Sequence, residues 1–287
     1  MFRLDKTELI FKIIAYTFVT VFAIFALYPF VYTVSASLSG KEAMTSGLVV
    51  LWPVDIQFDA FREVFKDKTF WISYTNTIFF TFYGTLWSMF VSILGAYALS
   101  KTRLLFNRQL NFLLVFTMWF SAGMIPTYIN YQRFGIDGRW GIVFAMGVQA
   151  FNVILLRNYF KSVPKEIEEA AIIDGANEFQ ILKNIYLPMS KAAIATVTLF
   201  YGLSRYNGYF WSRKLIQTSE EQPLQVYLRI TLEKLEELEQ SGSLFLRYAT
   251  ESLIYAMLVC SIIPIIIVYP YLQKYFATGV NVGGLKE

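Results

Sequence analysis

The chain of 287 residues contains no histidine and a single cysteine. Without imidazole there is no Ser-His-Asp or Cys-His catalysis, no His-ligated zinc and no imidazole proton relay. Cys260 lies inside an apolar run with no second thiol, which excludes an intrachain disulfide and a thiolate metal cluster. Charge is scarce as well: 16% of the residues are Asp, Glu, Lys or Arg, against about 25% in soluble domains. The net charge of +4 is spread along the chain and forms no basic face of the kind nucleic-acid binding requires. The phosphate-binding pattern G-x-x-x-x-G-K-[ST] is also missing, since Gly40-Lys41-Glu42 lacks both the upstream glycine and the following hydroxyl. The chain cannot bind and split ATP by that route.

Apolar residues, by contrast, make up 56% of the chain and aromatic ones 18%. So few charges cannot coat a water-facing surface, and the bilayer is the expected solvent. A transmembrane helix needs roughly 20 mostly apolar residues, and six stretches approach that: 10–34, 74–99, 112–129, 140–156, 192–211 and 252–276. The first is longer than a signal-peptide core of about 7–15 residues and reads as an uncleaved span. The expected class is an all-α membrane protein of six transmembrane helices, one domain over residues 1–287. Between spans two and three, Lys101, Arg103 and Arg108 stand in a short hairpin without an acid. Short basic loops stay in the cytoplasm, so both termini are expected there too. Two long external segments, 35–73 and 212–251, remain. The first holds a short amphipathic patch at 58–65. In the second, Leu recurs at three-residue steps amid acids over 231–239, the periodicity of a surface helix.

The segment 162–188, between spans four and five, is patterned. Pro164 near a helix start and Glu166, Glu168 and Glu169 in the opening turns suit a first helix, whose dipole favours acids there. Gly175 lets that helix turn. A second short helix follows from about residue 177 to 183, and Pro188 marks the approach to span five. Glu169-Ala170-Ala171, three residues, Gly175, nine residues, then Ile185-Tyr186-Leu187-Pro188 resembles, without a gap, the EAA signature of permease subunits of bacterial ABC importers. Val163-Pro164-Lys165-Glu166-Ile167-Glu168 and Asp174-Gly175-Ala176 look like the carbohydrate-uptake, MalG-like branch. Residues 116–128, Tyr206-Asn207-Gly208-Tyr209-Phe210, Gln222-Pro223-Leu224-Gln225 and the run 269–276 resemble LplC/YtcP-type oligosaccharide permeases.

The resemblance implies a type I ABC importer permease fold, six spans with two short cytoplasmic coupling helices, in the bacterial cell membrane. It implies a transport subunit rather than an enzyme, forming half of a pathway for oligosaccharides. Its partners would be a second homologous permease, an ATPase dimer that binds ATP and Mg, and an extracytoplasmic solute-binding protein. No cofactor is expected in this chain. Glu169, Ala170, Ala171, Asp174, Gly175, Ile185, Leu187 and Pro188 would form the ATPase-coupling element, with Glu169 in electrostatic contact, the alanines allowing close approach and Gly175 giving the bend.

A sugar pathway needs polar groups for hydroxyls and aromatic faces for rings. Asn76, Tyr83, Tyr128, Gln149, Asn152, Arg205, Tyr206, Asn207 and Trp211 are the candidates within or beside the spans. Tyr and Trp also form interfacial belts. Arg205 is a charge inside a predicted span; such charges face the protein interior or a cavity, where an acid such as Glu251 or backbone carbonyls serve as partners as readily as cargo does. An ion-driven secondary transporter is the alternative, weakened by the lack of a visible repeat and of acids within the spans.

Overall fold

The computed structural model of the chain describes residues 6–240 and 250–283. The all-α expectation holds: among these residues no strand forms, and extended backbone pairs only at an isolated bridge between Ser39 and Ile56. In chain order the helices are α1 (Lys6–Ser37), α2 (Lys41–Thr45), α3 (Asp59–Lys66), α4 (Lys68–Ser100), α5 (Asn107–Trp119) and α6 (Met124–Arg133). Then come α7 (Gly138–Ala145), α8 (Ala150–Lys161), α9 (Lys165–Ile173) and α10 (Glu178–Ile181). A π-helical turn, Leu182–Tyr186, leads through α11 (Leu187–Met189) into α12 (Lys191–Tyr206). Beyond it lie α13 (Phe210–Leu215), a 3-10 turn (Ser219–Glu221), α14 (Leu224–Gln240) and α15 (Thr250–Gly283).

The residues group into two compact units, Met1–Phe70 with Leu228–Ile263, and Trp71–Tyr227 with Pro264–Glu287. In the first, the 32 residues of α1 extend about 48 Å at 1.5 Å per residue, beyond the roughly 30 Å of a bilayer core. Its apolar stretch is uncovered on every side, as suits a helix whose surroundings are lipid or another protein. The chain then reverses through a serine-rich corner. Ser35 Oγ donates to the Leu51 carbonyl and Ser39 Oγ to that of Ser35, each at 2.7 Å. A Cβ on Gly40 would run into the Asp55 carboxylate, so any larger residue there requires that side chain to shift. The amphipathic patch at 58–65 forms α3, which buries Ala60 and Val64, and the acidic periodic stretch lies within α14.

In the second unit, α4, α8 and α12 bury Met89, Ala96, Val153, Leu156, Val197 and Tyr201 in one core. Ser92 Oγ and the Tyr201 hydroxyl lie 2.7 Å apart inside it.

Three described helices are long and apolar enough to cross a membrane: Thr7–Ser37 of α1, α4, and Thr250–Pro270 of α15. The sequence's other spans are interrupted. The run 112–129 becomes α5 and α6, bent by 118°, and 140–156 falls in α7 and α8, bent by 47°. The run 192–211 gives α12, which stops at Tyr206 after 16 residues, about 24 Å. The first break has a local cause: Gly123 sits at φ +83, and Pro126 in the first turn of α6 lacks an N–H where none is needed. At the second, a Cβ on Gly147 would meet the Phe144 carbonyl at 3.0 Å and Trp87 Nε1 at 3.3 Å.

Candidate functional site

The segment 162–188 is shaped by its own sequence. Helix α9 ends in a complete Schellman motif: Gly175 N–H bonds the Ile172 carbonyl at 3.0 Å and Ala176 N–H that of Ala171 at 2.9 Å, with Gly175 at φ +82. Asn177 then caps α10. Its side chain accepts from Gln180 N–H, and the Gln180 side chain accepts from Asn177 N–H, a closed capping box. Ala171, Ala176, Ile185 and Leu187 pack against the core, and Ile181, Leu182 and Tyr186 lie within it. The opposite face is open. Glu169 and Ala170 are exposed and, among the described residues, Glu169 has no ion-pair or hydrogen-bond partner. Asp174, Gly175 and Pro188 are exposed as well, and two large apolar side chains, Ile173 (85%) and Phe179 (69%), stand in solvent beside the turn.

The neighbouring acid behaves oppositely. Glu168 turns inward, where Lys101 Nζ lies 2.7 Å from Oε1, off hydrogen-bond alignment, and the Tyr186 hydroxyl donates to Oε2 at 2.6 Å. The ammonium sits over the rings of Tyr97 and Tyr186, 4.4 and 4.0 Å from their centroids. Arg103 pairs with Glu178 and approaches Glu168 at 3.4 Å, and the Tyr97 hydroxyl donates to Glu178 Oε2 at 2.7 Å. Burial lowers the Lys101 pKa against the opposing pull of Glu168. For Glu168, burial acts upward, but the Lys101 and Tyr186 contacts and the charges of Lys101 and Arg103 outweigh it and hold the carboxyl below its ordinary range. The Tyr186 phenol is pushed up, first by burial and then by its bond to Glu168.

The pathway candidates fall into distinct places. Asn76 is buried and donates to the carbonyls of Glu220 (2.7 Å) and Gln222 (3.3 Å), tying the 3-10 turn to α4. Arg205 is 5% exposed and caps the end of α7: it donates to the carbonyls of Ile142 (2.9 Å), Val143 (3.2 Å) and Met146 (2.6 Å), and to Ser88 Oγ (3.0 Å). These are carbonyls that a helix leaves without intrahelical partners, at the negative end of its dipole. The Tyr131 hydroxyl takes the Ala145 carbonyl at 2.9 Å. Gln149, exposed at the α7–α8 break, donates its backbone N–H to the Tyr201 hydroxyl (3.1 Å) and its amide to Ser204 (3.0 Å). Asn152 is fully buried and donates to Gln149 Oε1 at 3.3 Å. Tyr206 is buried, and Asn207 is exposed with its amide on the Leu203 carbonyl. Tyr83 is 40% exposed among Phe79, Phe82 and Trp140. Trp211 meets Tyr131 edge-on at 5.1 Å, and Tyr128 packs beside the same cluster. The structure thus gathers Gln149, Asn152 and Arg205 around one break, joins Trp211 to it through Tyr131, and ties Asn76 to the 3-10 turn instead.

The chain matches no protein-family model. It is 36% identical over 282 residues to the "Polygalacturonan/rhamnogalacturonan transport system permease protein YtcP" of Bacillus subtilis, covering 96% of this chain and 98% of the relative. With "Protein LplC" of the same organism it shares 35% over 263 residues, 90% of this chain and 88% of the relative. The chain belongs to the carbohydrate-uptake branch of the ABC importer permeases. The permease also superposes, at a TM-score of 0.87 and 45% identity over 96% of its length and all of the other chain, on a crystal structure of a bacterial ABC transporter "involved in the import of the acidic polysaccharide alginate". Permeases of this family are membrane-embedded transport subunits rather than enzymes.

The sequence located the turn that the structure forms at Gly175 but not the residues that seat it. Tyr97 and Lys101 are four residues apart at the end of α4, in a stretch without acids, and the carboxylates they meet, Glu178 and Glu168, lie some 70–80 residues further along. No local pattern marks that pairing, and Ile173 and Phe179 likewise become informative only once their exposure is seen.

Proposed function

We propose that this permease forms, with a second homologous permease, the membrane pathway of an ATP-driven oligosaccharide importer. It docks through α9 and α10 on an ATPase dimer that binds ATP and Mg, and receives cargo from an extracytoplasmic solute-binding protein. The observation that carries this reading is the two-faced coupling segment. Its inner face is packed and ion-paired, while its outer face offers an unpartnered Glu169, small Ala170 and apolar Ile173 and Phe179. A carboxylate ringed by exposed apolar groups suits a groove with a basic residue and apolar walls. The coupling set is Glu169, Ala170, Ala171, Asp174, Gly175, Ile185, Leu187 and Pro188. With this segment in the cytoplasm of a bacterial cell, an even number of spans leaves both termini there. Cargo faces Tyr83, Gln149 and Asn207, which are exposed; Asn76, Asn152, Arg205 and Tyr206 shape the pathway from within. Acidic oligosaccharides are the first candidates, because the structural neighbour serves an acidic polysaccharide.

The test is uptake into proteoliposomes holding the assembled transporter, with uronate oligomers against neutral maltooligosaccharides. Glu169→Lys should abolish ATP-driven uptake while the permease stays in the membrane. Unchanged uptake would refute the coupling role, and uptake driven by an ion gradient without ATP would favour a secondary transporter.

A further inference from the structure

The family reading assigns docking to the outer face of the coupling helices and leaves open how their motion reaches the spans. A hinged segment would swing without moving anything. The inner face holds a construction that prevents this. Lys101 follows directly on α4, with its N–H on the Ala98 carbonyl. The hairpin it opens is tied back by Asn107, which donates to the carbonyls of Leu99 (3.1 Å) and Lys101 (2.8 Å), and by Asn111, which donates to Leu99 (3.3 Å). The hairpin is therefore an extension of α4. From it, Lys101 reaches Glu168 on α9 and Arg103 reaches Glu178 on α10, so each coupling helix has its own ionic tie to the same span. The Lys101–Glu168 pair is sheltered, with side chains 9% and 14% exposed, and Tyr186 of the π turn closes it from the α12 side.

A sheltered ion pair is seldom the cheapest way to hold two surfaces together, since apolar residues of similar volume stabilise as well or better. What it supplies is a fixed orientation, with a steep penalty if either partner moves away alone. We propose that Lys101 and Glu168 are positioning residues for energy coupling. Their pair, capped by Tyr97 and Tyr186, makes α4, α9, α10 and the root of α12 one lever, so displacement of the docking face is delivered to the spans. This rests on the proposed docking of α9 and α10 on an ATPase.

The readout is the number of ATP molecules hydrolysed per sugar imported, measured on the assembled transporter in proteoliposomes. Lys101→Met and Glu168→Gln should still hydrolyse ATP but raise that ratio about 10-fold, within the roughly 5–150-fold range of coupling free energies between sites. Lys101→Arg, which keeps the cation over the rings, should stay near the wild-type ratio. A wild-type ratio in Lys101→Met overturns the proposal. Should the Met variant fail to assemble, Tyr186→Phe removes one hydroxyl from Glu168 and leaves the rings in place. A raised ratio there supports the lever, and an unchanged one overturns it. Failure of the docking reading is distinct: the unmodified transporter would then show no ATP-dependent uptake at all.

Discussion

Replacing Arg205 by methionine separates the permease's architecture from its cargo. The side chain closes the end of α7 with hydrogen bonds to three carbonyls and one hydroxyl, between 2.6 and 3.2 Å, from a position 5% exposed. Methionine matches the stem but donates nothing. Each buried carbonyl left unsatisfied costs about 1–3 kcal/mol, and because the three share one donor the losses do not simply add; about 3–5 kcal/mol is expected. Against total stabilities of roughly 5–15 kcal/mol this is a large fraction. At about 2–4 °C per kcal/mol for chains of comparable length, melting of the detergent-solubilised protein should fall by roughly 6–20 °C. Arg205→Lys keeps the charge at the dipole's negative end but cannot span the carbonyls, and should lie between. Gly84 reinforces the point: a Cβ there would stand 2.9 Å from Arg205 Nε, so the backbone has made room for this side chain. Melting within about 2 °C of wild type, combined with selective loss of acidic over neutral oligosaccharide uptake, would refute the capping role and make Arg205 a cargo contact.

Other outcomes follow from the same contacts. At Gly175, φ is +82 and a Cβ would meet nothing within 4 Å, so substitution tests backbone conformation alone. Asn tolerates that region and should preserve import, whereas Val, costing about 1–2 kcal/mol or more there, should reduce it several-fold; equal import by both would refute the turn's role. Tyr201→Phe leaves Gln149 N–H without its acceptor and Ser92 without its partner, and should lower thermal stability by about 1–3 kcal/mol; no change would mean the α7–α8 break is held otherwise. Glu168 is held below its ordinary range, so its contribution is complete above about pH 4.3 and is lost as pH falls through the lower folded value. The melting difference between wild type and Glu168→Gln should thus be constant near neutrality and shrink in acid; a difference unchanged down to about pH 2 would contradict the inward pairing.

The turn at Gly175 could be read from sequence because every device in it is local. Gly175 and the Asn177–Gln180 box act within a few residues, and the motif spacing records that. The helix breaks were hidden for the converse reason. An apolar run such as 140–156 has the same composition whether it continues or bends, and what stabilises the bend, Arg205 and Tyr201, lies some 50–60 residues further along. Glu168 and Glu169 show the limit most sharply. In sequence they form one acidic run that falls on the expected docking face. In the fold, one residue of helical rotation sends the first to Lys101 and the second to solvent. Asn76 and Arg205 were singled out as polar groups among apolar ones, a signal that cannot distinguish a group reserved for cargo from one that satisfies the protein's own backbone.

The π turn at Leu182–Tyr186 carries a last consequence. Such a turn holds one residue more than its α counterpart, and each residue advances a helix by about 100°. Because the surplus residue is wound into the turn, the bearing of the exposed Glu169 face about the axis of the following span is insulated from the residue count. Deleting a single residue from this turn should be absorbed as ordinary winding and leave Glu169 facing where it does, whereas an extra residue placed in α12, with no such turn to take it up, would swing Glu169 about the axis of that span by roughly 100°.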